Sequence, residues 1–364
     1  MKILMLYRVN INDPSNAGIV SKMQCQFKAL SKGHEVDLVY LTKDAIIKNE
    51  TKLSVLRHDW YSSKSRKFKT YYQTFYKCLS QTLRLNSYDL IYWRFHSCHH
   101  SLYKFFNVPI KKLVIELPSY PYEKEFTTWW QKIQLTLDKL YRNKVFSKAS
   151  KIVHFGPHEN IYNVPTIRLT NGIEIPESIK INNYGYSDTI RLIALGKWNY
   201  WHGLDRIIKG MANYNGDTKI RLSIIGEGHE LSNYKNLVQS LSIGDSVTFY
   251  PSLTGKHLTQ EIQSAHIGIG SLAHHRKGLY EVSALKHRTY AVYGLPFVFA
   301  SQDTDFPKEL SYYFQVAADN SDINLEALIE FYETLDQTVC ENLSMYARQN
   351  LTWEDRMEKV LRLI

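Results

Sequence analysis

Short β-rich apolar runs alternate along this 364-residue chain with longer stretches of helical period. Ile3–Leu6, Val36–Tyr40, Leu90–Trp93, Leu113–Ile115 and Ile152–Phe155 read as strands, and Ile19–Ser31, Lys69–Leu85 and Phe126–Phe146 as the helices between them. After a polar patch at Glu177–Asp188 the pattern restarts. Ile190–Leu195, Arg221–Ile225, Ser246–Tyr250, Ile267–Ile269 and Pro296–Ala300 read as strands, with helices at Leu204–Asn213, Glu230–Leu241, Leu258–Ser264 and Val282–Tyr293. Strands alternating with helices at this spacing predict an α/β chain of two Rossmann-like, doubly wound parallel-sheet domains facing a cleft. The expected domains are 1–172 and 173–364, hinged near 172–188, with the final helix free to pack back on the N-terminal domain. In such sheets ligands collect outside the carboxyl ends of the strands.

Composition changes this picture in two places. The net charge of +10 is unevenly spread: residues 1–175 carry 27 Lys and Arg against 13 Asp and Glu, a balance of +14, and the remainder carries 18 against 22, a balance of −4. A basic half beside an acidic half predicts that one domain meets an anionic surface or substrate. No helix-turn-helix, zinc-finger or RNP-type pattern supports nucleic acid, whereas a phospholipid surface or a lipid-phosphate acceptor fits. Cys25, Cys78, Cys98 and Cys340 lie far apart, which argues for a reducing cytoplasm and against a disulfide framework or a zinc site. No apolar run approaches the ~18–20 residues that span a bilayer.

Four segments of the second half carry candidate chemistry. They are Thr170-Asn171-Gly172-Ile173-Glu174, the stretch Leu195-Gly196-Lys197-Trp198-Asn199-Tyr200-Trp201-His202-Gly203-Leu204-Asp205, the strand end Ile225-Gly226-Glu227-Gly228, and Glu281 through Pro296. Gly226 and Gly228 predict a tight strand-to-helix turn whose amides approach a ligand, although a plain turn uses the same residues. Lys197 and His202 flank a loop after a strand, where cationic groups suit a diphosphate whose charge grows as it leaves. Glu281 precedes a helix; its carboxylate can accept from sugar hydroxyls, while the amides of Ser283, Ala284 and Leu285 face anionic oxygens. A helix-start glutamate complementing the dipole is the plainer reading of the same position.

In order and spacing these segments resemble the retaining glycosyltransferases of group 1, or family 4, which have the GT-B fold. The resemblance implies a C-terminal domain that binds a nucleoside-diphosphate sugar through Gly196, Gly226, Ser283, Ala284, Leu285 and Thr289, with Lys197, His202 and Glu281 at the reacting centre. It implies no metal requirement. Two departures stand out: the second glutamate of the E-x7-E pattern is Thr289, and the Arg and Lys of the usual phosphate clamp are Lys197 and His202. Because histidine titrates near ~6.5, His202 replaces a permanent charge with a titratable one.

The first half, in this resemblance, binds the acceptor, a glycan or lipid-linked glycan. Its Gly-Gly loop is reduced to Ala17-Gly18, so Gly18 is the expected point of approach to donor or acceptor. Arg94, at a strand end, is a candidate for an acceptor phosphate. Tyr120 and Tyr122, in a loop stiffened by Pro118 and Pro121, are candidates for lining an acceptor sugar. Residues 57–72 interleave cations with aromatic rings, as do interfacial segments that meet anionic lipid, and Trp129-Trp130 suits the same surface. His96, His99, His100 and the pair His274-His275 lack the carboxylate spacing of a metal site. The expected activity is hexosyl transfer in surface polysaccharide or glycoprotein glycan assembly. The alternative is a non-catalytic GT-B subunit that binds glycan or a partner transferase. A dinucleotide-dependent dehydrogenase is disfavoured, since no G-x-G-x-x-G follows the first strand.

Overall fold

The opening apolar run extends from Lys2 to Asn10 as strand β1, with Ile3, Leu4, Met5, Leu6 and Tyr7 all buried. The computed structural model describes residues 1–13, 16–55, 74–123, 126, 129–176, 179–181, 185, 188–307 and 309–364. These divide into two units, Met1–Thr170 with Arg356–Ile364, and Asn171–Asp355. The aromatic and basic segment 57–72 lies outside the described residues.

In the first unit β1 is followed by β2 (Glu35–Leu41), β3 (Ala45–Lys48), β4 (Thr51–Val55), β5 (Leu90–Arg94), β6 (Leu113–Leu117), β7 (Lys151–His154), β8 (Asn160–Ile161) and β9 (Val164–Arg168). The described strands form one sheet in the order β4-β3-β2-β1-β5-β6-β7-β9-β8. It is parallel from β2 to β9, with an antiparallel β3–β4 hairpin on one edge and β8 on the other. Parallel strands covered on both faces need apolar residues at successive positions. That is why Leu113, Val114 and Ile115 are all buried. The core joins Leu4, Leu6, Trp93, Phe106, Leu117 and Phe146.

The second unit continues with β10 (Thr189–Leu195), β11 (Lys219–Ile225), β12 (Val247–Tyr250), β13 (Ile267–Ile269), β14 (Glu281–Val282), β15 (Phe297–Phe299), β16 (Gln302–Asp303) and β17 (Tyr313–Gln315). The main sheet runs β12-β11-β10-β13-β15-β17, and each described pairing is parallel. Side chains on β10 alternate between two cores. Ile190, Leu192 and Ala194 pack with Ile207 and Ile224, while Ile193 packs with Tyr290, Phe297 and Leu343. Helices Leu325–Glu333 and Gln337–Asn350 follow, and the last helix, Trp353–Leu363, belongs to the first unit from Arg356 onward. Among the described residues no helix is long and apolar enough to cross a membrane.

The helix expected from Val282 starts at Leu285, because Glu281 and Val282 pair with Gln302 and Asp303 as a short parallel ladder. At the carboxyl ends of β10 and β11 the two backbones nearly touch. A Cβ on Gly226 would collide with the Gly196 carbonyl, and one on Gly228 with the backbone of Trp198. Both glycines have positive φ, 125° and 149°. Both glycines allow the close approach of the two backbones. The Gly226 amide donates to the Tyr250 carbonyl at 3.2 Å and the Gly196 amide to that of Ile225 at 3.1 Å. Gly196 and Gly226 thus admit close approach but hold their own donors in the fold.

Candidate active site

The loop after β10 is shaped by local capping. Asn199 precedes a 3-10 turn at Tyr200–His202, and Gly203, at φ 71°, turns the chain into the helix Leu204–Asn213. The Asn199 amide donates to Nδ1 of His202 at 3.0 Å. Nδ1 is therefore an acceptor, and the neutral ring carries its proton on Nε2. Burial, reinforced by Lys286 and His274, pushes the His202 pKa down to about 3. This corrects the expectation of a titratable cation: in the unliganded site His202 is a neutral donor. Lys197, two residues past β10, is exposed.

A second loop packs beside the first. Arg276 holds Asp205 with two bonds, Nη1 to Oδ1 at 2.9 Å and Nη2 to Oδ2 at 2.7 Å, and also donates to the Tyr200 carbonyl at 2.8 Å. Such paired bonds fix geometry as well as charge. They bring the turn His274–Lys277 against the 200–205 segment, so that the His274 and His202 ring centroids are 6.2 Å apart. Nδ1 of His274 is buried without a hydrogen-bond partner among the described residues. Its pKa falls to about 3 through burial and the neighbouring Lys277 and Lys286.

The third element is the helix Leu285–Val292 with the strand before it. Glu281 is exposed on β14. Ser283 is pinned at its Oγ by the Asn171 amide and at its carbonyl by Asn171 Nδ2, both at 2.8 Å. The first-turn amides of this helix, around Ala284 and Leu285, have no intrahelical acceptor and point toward its N-terminus. Thr289 turns its hydroxyl back to the Leu285 carbonyl at 3.1 Å. Beneath, fully buried Arg288 bonds Asp303 at 2.7 and 3.0 Å, contacts Asp305, and donates to the Asn171 carbonyl at 2.8 Å. Burial alone would raise the Asp303 pKa, but Arg288 and His287 hold it well below the carboxylate range. This network anchors the segment carrying Glu281, and sequence reasoning missed it. It also missed Lys286, whose ammonium lies 4.9 Å from the centre of the Trp198 ring.

In the first unit the candidates fare differently. Gly18 is exposed, and a Cβ there would meet nothing within 4 Å. Tyr122 is 2% exposed and its hydroxyl donates to Asp138 at 2.7 Å, so it is a core residue and does not line an acceptor surface. Tyr120 is half-buried, edge-on to His158 at 4.9 Å between ring centroids. Arg94 is not a bare phosphate ligand: its guanidinium is bound to buried Glu116, which also takes Lys22 at 3.0 Å. Trp129 and Trp130 are exposed at the start of the helix Trp129–Phe146. Among the described residues no group of three or more His, Cys, Asp or Glu is placed to hold a metal ion.

Residues 178–279, which include the 196–205 and 225–228 segments, match the family model described as glycosyl transferases group 1. No curated protein matches the chain significantly in sequence. Several solved structures share its fold along the whole length. Sucrose-phosphate synthase from Thermosynechococcus elongatus aligns with a TM-score of 0.64 at 13% identity, covering 100% of this chain and 98% of that one. WaaG, a glycosyltransferase involved in lipopolysaccharide biosynthesis, aligns at 0.60 and 14%, covering 100% and 99%. Anabaena Alr3699/HepE in complex with UDP and glucose aligns at 0.58 and 14%, again covering 100% and 99%. The group 1 match lies on the segment that builds the basic loop, and over its whole length the chain shares the two-domain GT-B fold of these solved structures.

Proposed function

We propose that this protein transfers a hexose, with retention of configuration, from a nucleoside-diphosphate sugar to a glycan or lipid-linked glycan in bacterial surface polysaccharide or glycoprotein assembly. The observation that carries the donor half of this reading is the basic cluster of His202, His274, Lys277 and Lys286, where the 196–202 loop, the 274–277 turn and the start of the 285–292 helix meet. Donors that converge on one point stabilise charge developing on a leaving diphosphate. In this scheme Lys197 and the Nε2–H of His202 contact the diphosphate, and the amides of Ser283, Ala284 and Leu285, leading into the helix, face its oxygens. Glu281 accepts from sugar hydroxyls and fixes the donor's orientation. Thr289 replaces a carboxylate at the ribose. The leaving phosphate itself takes the acceptor proton on the same face of the sugar, and no bound metal is needed.

The acceptor is assigned to the first unit, since the +14 balance of residues 1–175 suits an anionic partner. Its exposed Trp129 and Trp130 support a peripheral position at the inner face of the membrane, together with the 57–72 segment. A second reading, a non-catalytic subunit, draws on Thr289, whose hydroxyl is already engaged within its helix. A thermal-shift screen over nucleoside-diphosphate sugars tests the donor assignment, because a bound donor stabilises the fold in proportion to its concentration over Kd. A concentration-dependent rise with one donor, followed by sugar release or transfer, is the expected result. A rise with no turnover favours the binding subunit, and no rise with any donor removes the assignment.

A further inference from the structure

Lys286 is the second residue of the helix Leu285–Val292. Its aliphatic stem is half-buried, and its ammonium is shielded from solvent with no hydrogen-bond partner among the described residues. The nitrogen stands over the Trp198 ring, and a Cβ on Gly196 would lie 3.4 Å from it. The absence of a side chain at Gly196 therefore leaves the ammonium open to the loop that follows β10.

An ammonium removed from water without a counter-charge destabilises the fold, and proteins ordinarily pair or neutralise it. Here no described residue pairs it. From the 196–202 loop it is faced by Trp198 and His202, and from the 274–277 turn by His274 and Lys277. On its own helix, His287 is turned to Asp303 at 2.9 Å, and Arg288 neutralises that carboxylate. The pocket thus gathers an unpartnered cation and two imidazoles, and no carboxylate perturbs Lys286. Burial alone pushes its pKa down to about 7.

We infer that Lys286 is a binding residue for the diphosphate of the donor, supplying from the helix side the full charge that His202 does not. This rests on the donor reading above and deepens it. A diphosphate brings the counter-charge that the pocket lacks, and lysine serves phosphate as a compact point charge. Binding then draws a proton onto Lys286, because an adjacent anion favours its charged form. Affinity is highest below the free-protein pKa of about 7 and falls as pH rises through the higher pKa of the complex.

Calorimetric titration of the parent and Lys286→Met with UDP, GDP, ADP, inorganic pyrophosphate and the corresponding nucleosides tests the inference. The expected result is parent binding of at least one nucleoside diphosphate, weakened on the order of 10–100-fold in the variant, as for loss of one charged hydrogen bond. Nucleoside binding stays unchanged, and the parent's loss of affinity between about pH 6 and about pH 8.5 shrinks in the variant. The unliganded variant melts at a higher temperature, which separates lost binding from misfolding. If the variant binds the diphosphate as tightly as the parent, Lys286 does not touch it, though the donor reading stands. Equal weakening of nucleoside and diphosphate makes the residue structural and also overturns the inference. A parent that binds none of these probes overturns the donor reading as well.

Discussion

The two units treat a buried charge in opposite ways. In the first, Glu116 near the end of β6 is fully buried yet surrounded by partners: Arg94, Lys22 at 3.0 Å, the Tyr92 hydroxyl at 2.6 Å and Gln26 Nε2 at 2.9 Å. In the second, the ammonium of Lys286 beside the end of β10 has none among the described residues. A satisfied charge rigidifies a core, whereas an unsatisfied one costs stability and waits for a counter-ion. The global balance points the other way, since the first half is the basic one. Net charge therefore reports the surface, and the partners of individual buried groups report the site.

The largest effect expected from this contrast is at Glu116. Replacing it with Ala leaves Lys22 and Arg94 without their counter-charge, at a cost of about 3–5 kcal/mol by analogy with broken buried pairs. Urea denaturation of parent and variant measures it; a loss below ~1 kcal/mol would mean the cations re-solvate freely. The same network has a pH signature. Burial opposes ionisation of Glu116, but Lys22 and Arg94 outweigh it and bring its pKa from 4.5 down to about 2. Its stabilising contribution is thus complete above ~4.5 and disappears as pH falls toward about 2.

Next in size is Glu281→Gln. It should keep the fold, because the side chain is exposed, and lose transfer on the order of 10–100-fold if it positions the sugar. Unchanged turnover at saturating donor would remove Glu281 from the site.

Lys286→Met should move stability the other way, raising it by roughly 1–3 kcal/mol at neutral pH. The folded pKa is depressed from 10.5 to about 7, so between those values the unfolded chain holds more protons and parent stability rises with pH. The gap between variant and parent should therefore close from about pH 7 upward. A gap that stays constant would show that the ammonium is not desolvated.

The smallest effect concerns the basic segment 57–72. Sedimentation with anionic liposomes at low salt should weaken when Lys64, Arg66, Lys67 and Lys69 are replaced by Gln, and should vanish at high salt, since salt screens charge–charge attraction beyond ~8–10 Å. Equal sedimentation of parent and variant would place the membrane contact elsewhere.

The apolar runs made the parallel sheets legible, because strands buried on both faces must be apolar at successive positions. The β3–β4 hairpin was not, since it turns through Asn49 and Glu50, both at φ 45°, and glutamate is an unusual residue there. Helices Leu325–Glu333 and Gln337–Asn350 went unread although Asn324 and Asp336 cap them, accepting from Ala327 at 3.0 Å and Val339 at 2.9 Å. Candidates carried by a short local motif, such as Lys197 and His202 after β10 and Glu281 on β14, could be proposed from the sequence alone. Lys286 was hidden because Trp198, His202 and His274 reach it from separate segments. Tyr122 and Arg94 misled for the same reason: Asp138 and Glu116, which hold them, are distant in sequence.

The most direct test of the account is turnover. The protein is incubated with a panel of nucleoside-diphosphate hexoses and a glycan acceptor, and proton NMR follows both nucleotide release and the anomeric configuration of the product. The account predicts release of the nucleoside diphosphate from at least one donor, with the product keeping that donor's configuration. Absence of release from every donor, or a product of inverted configuration, would contradict it.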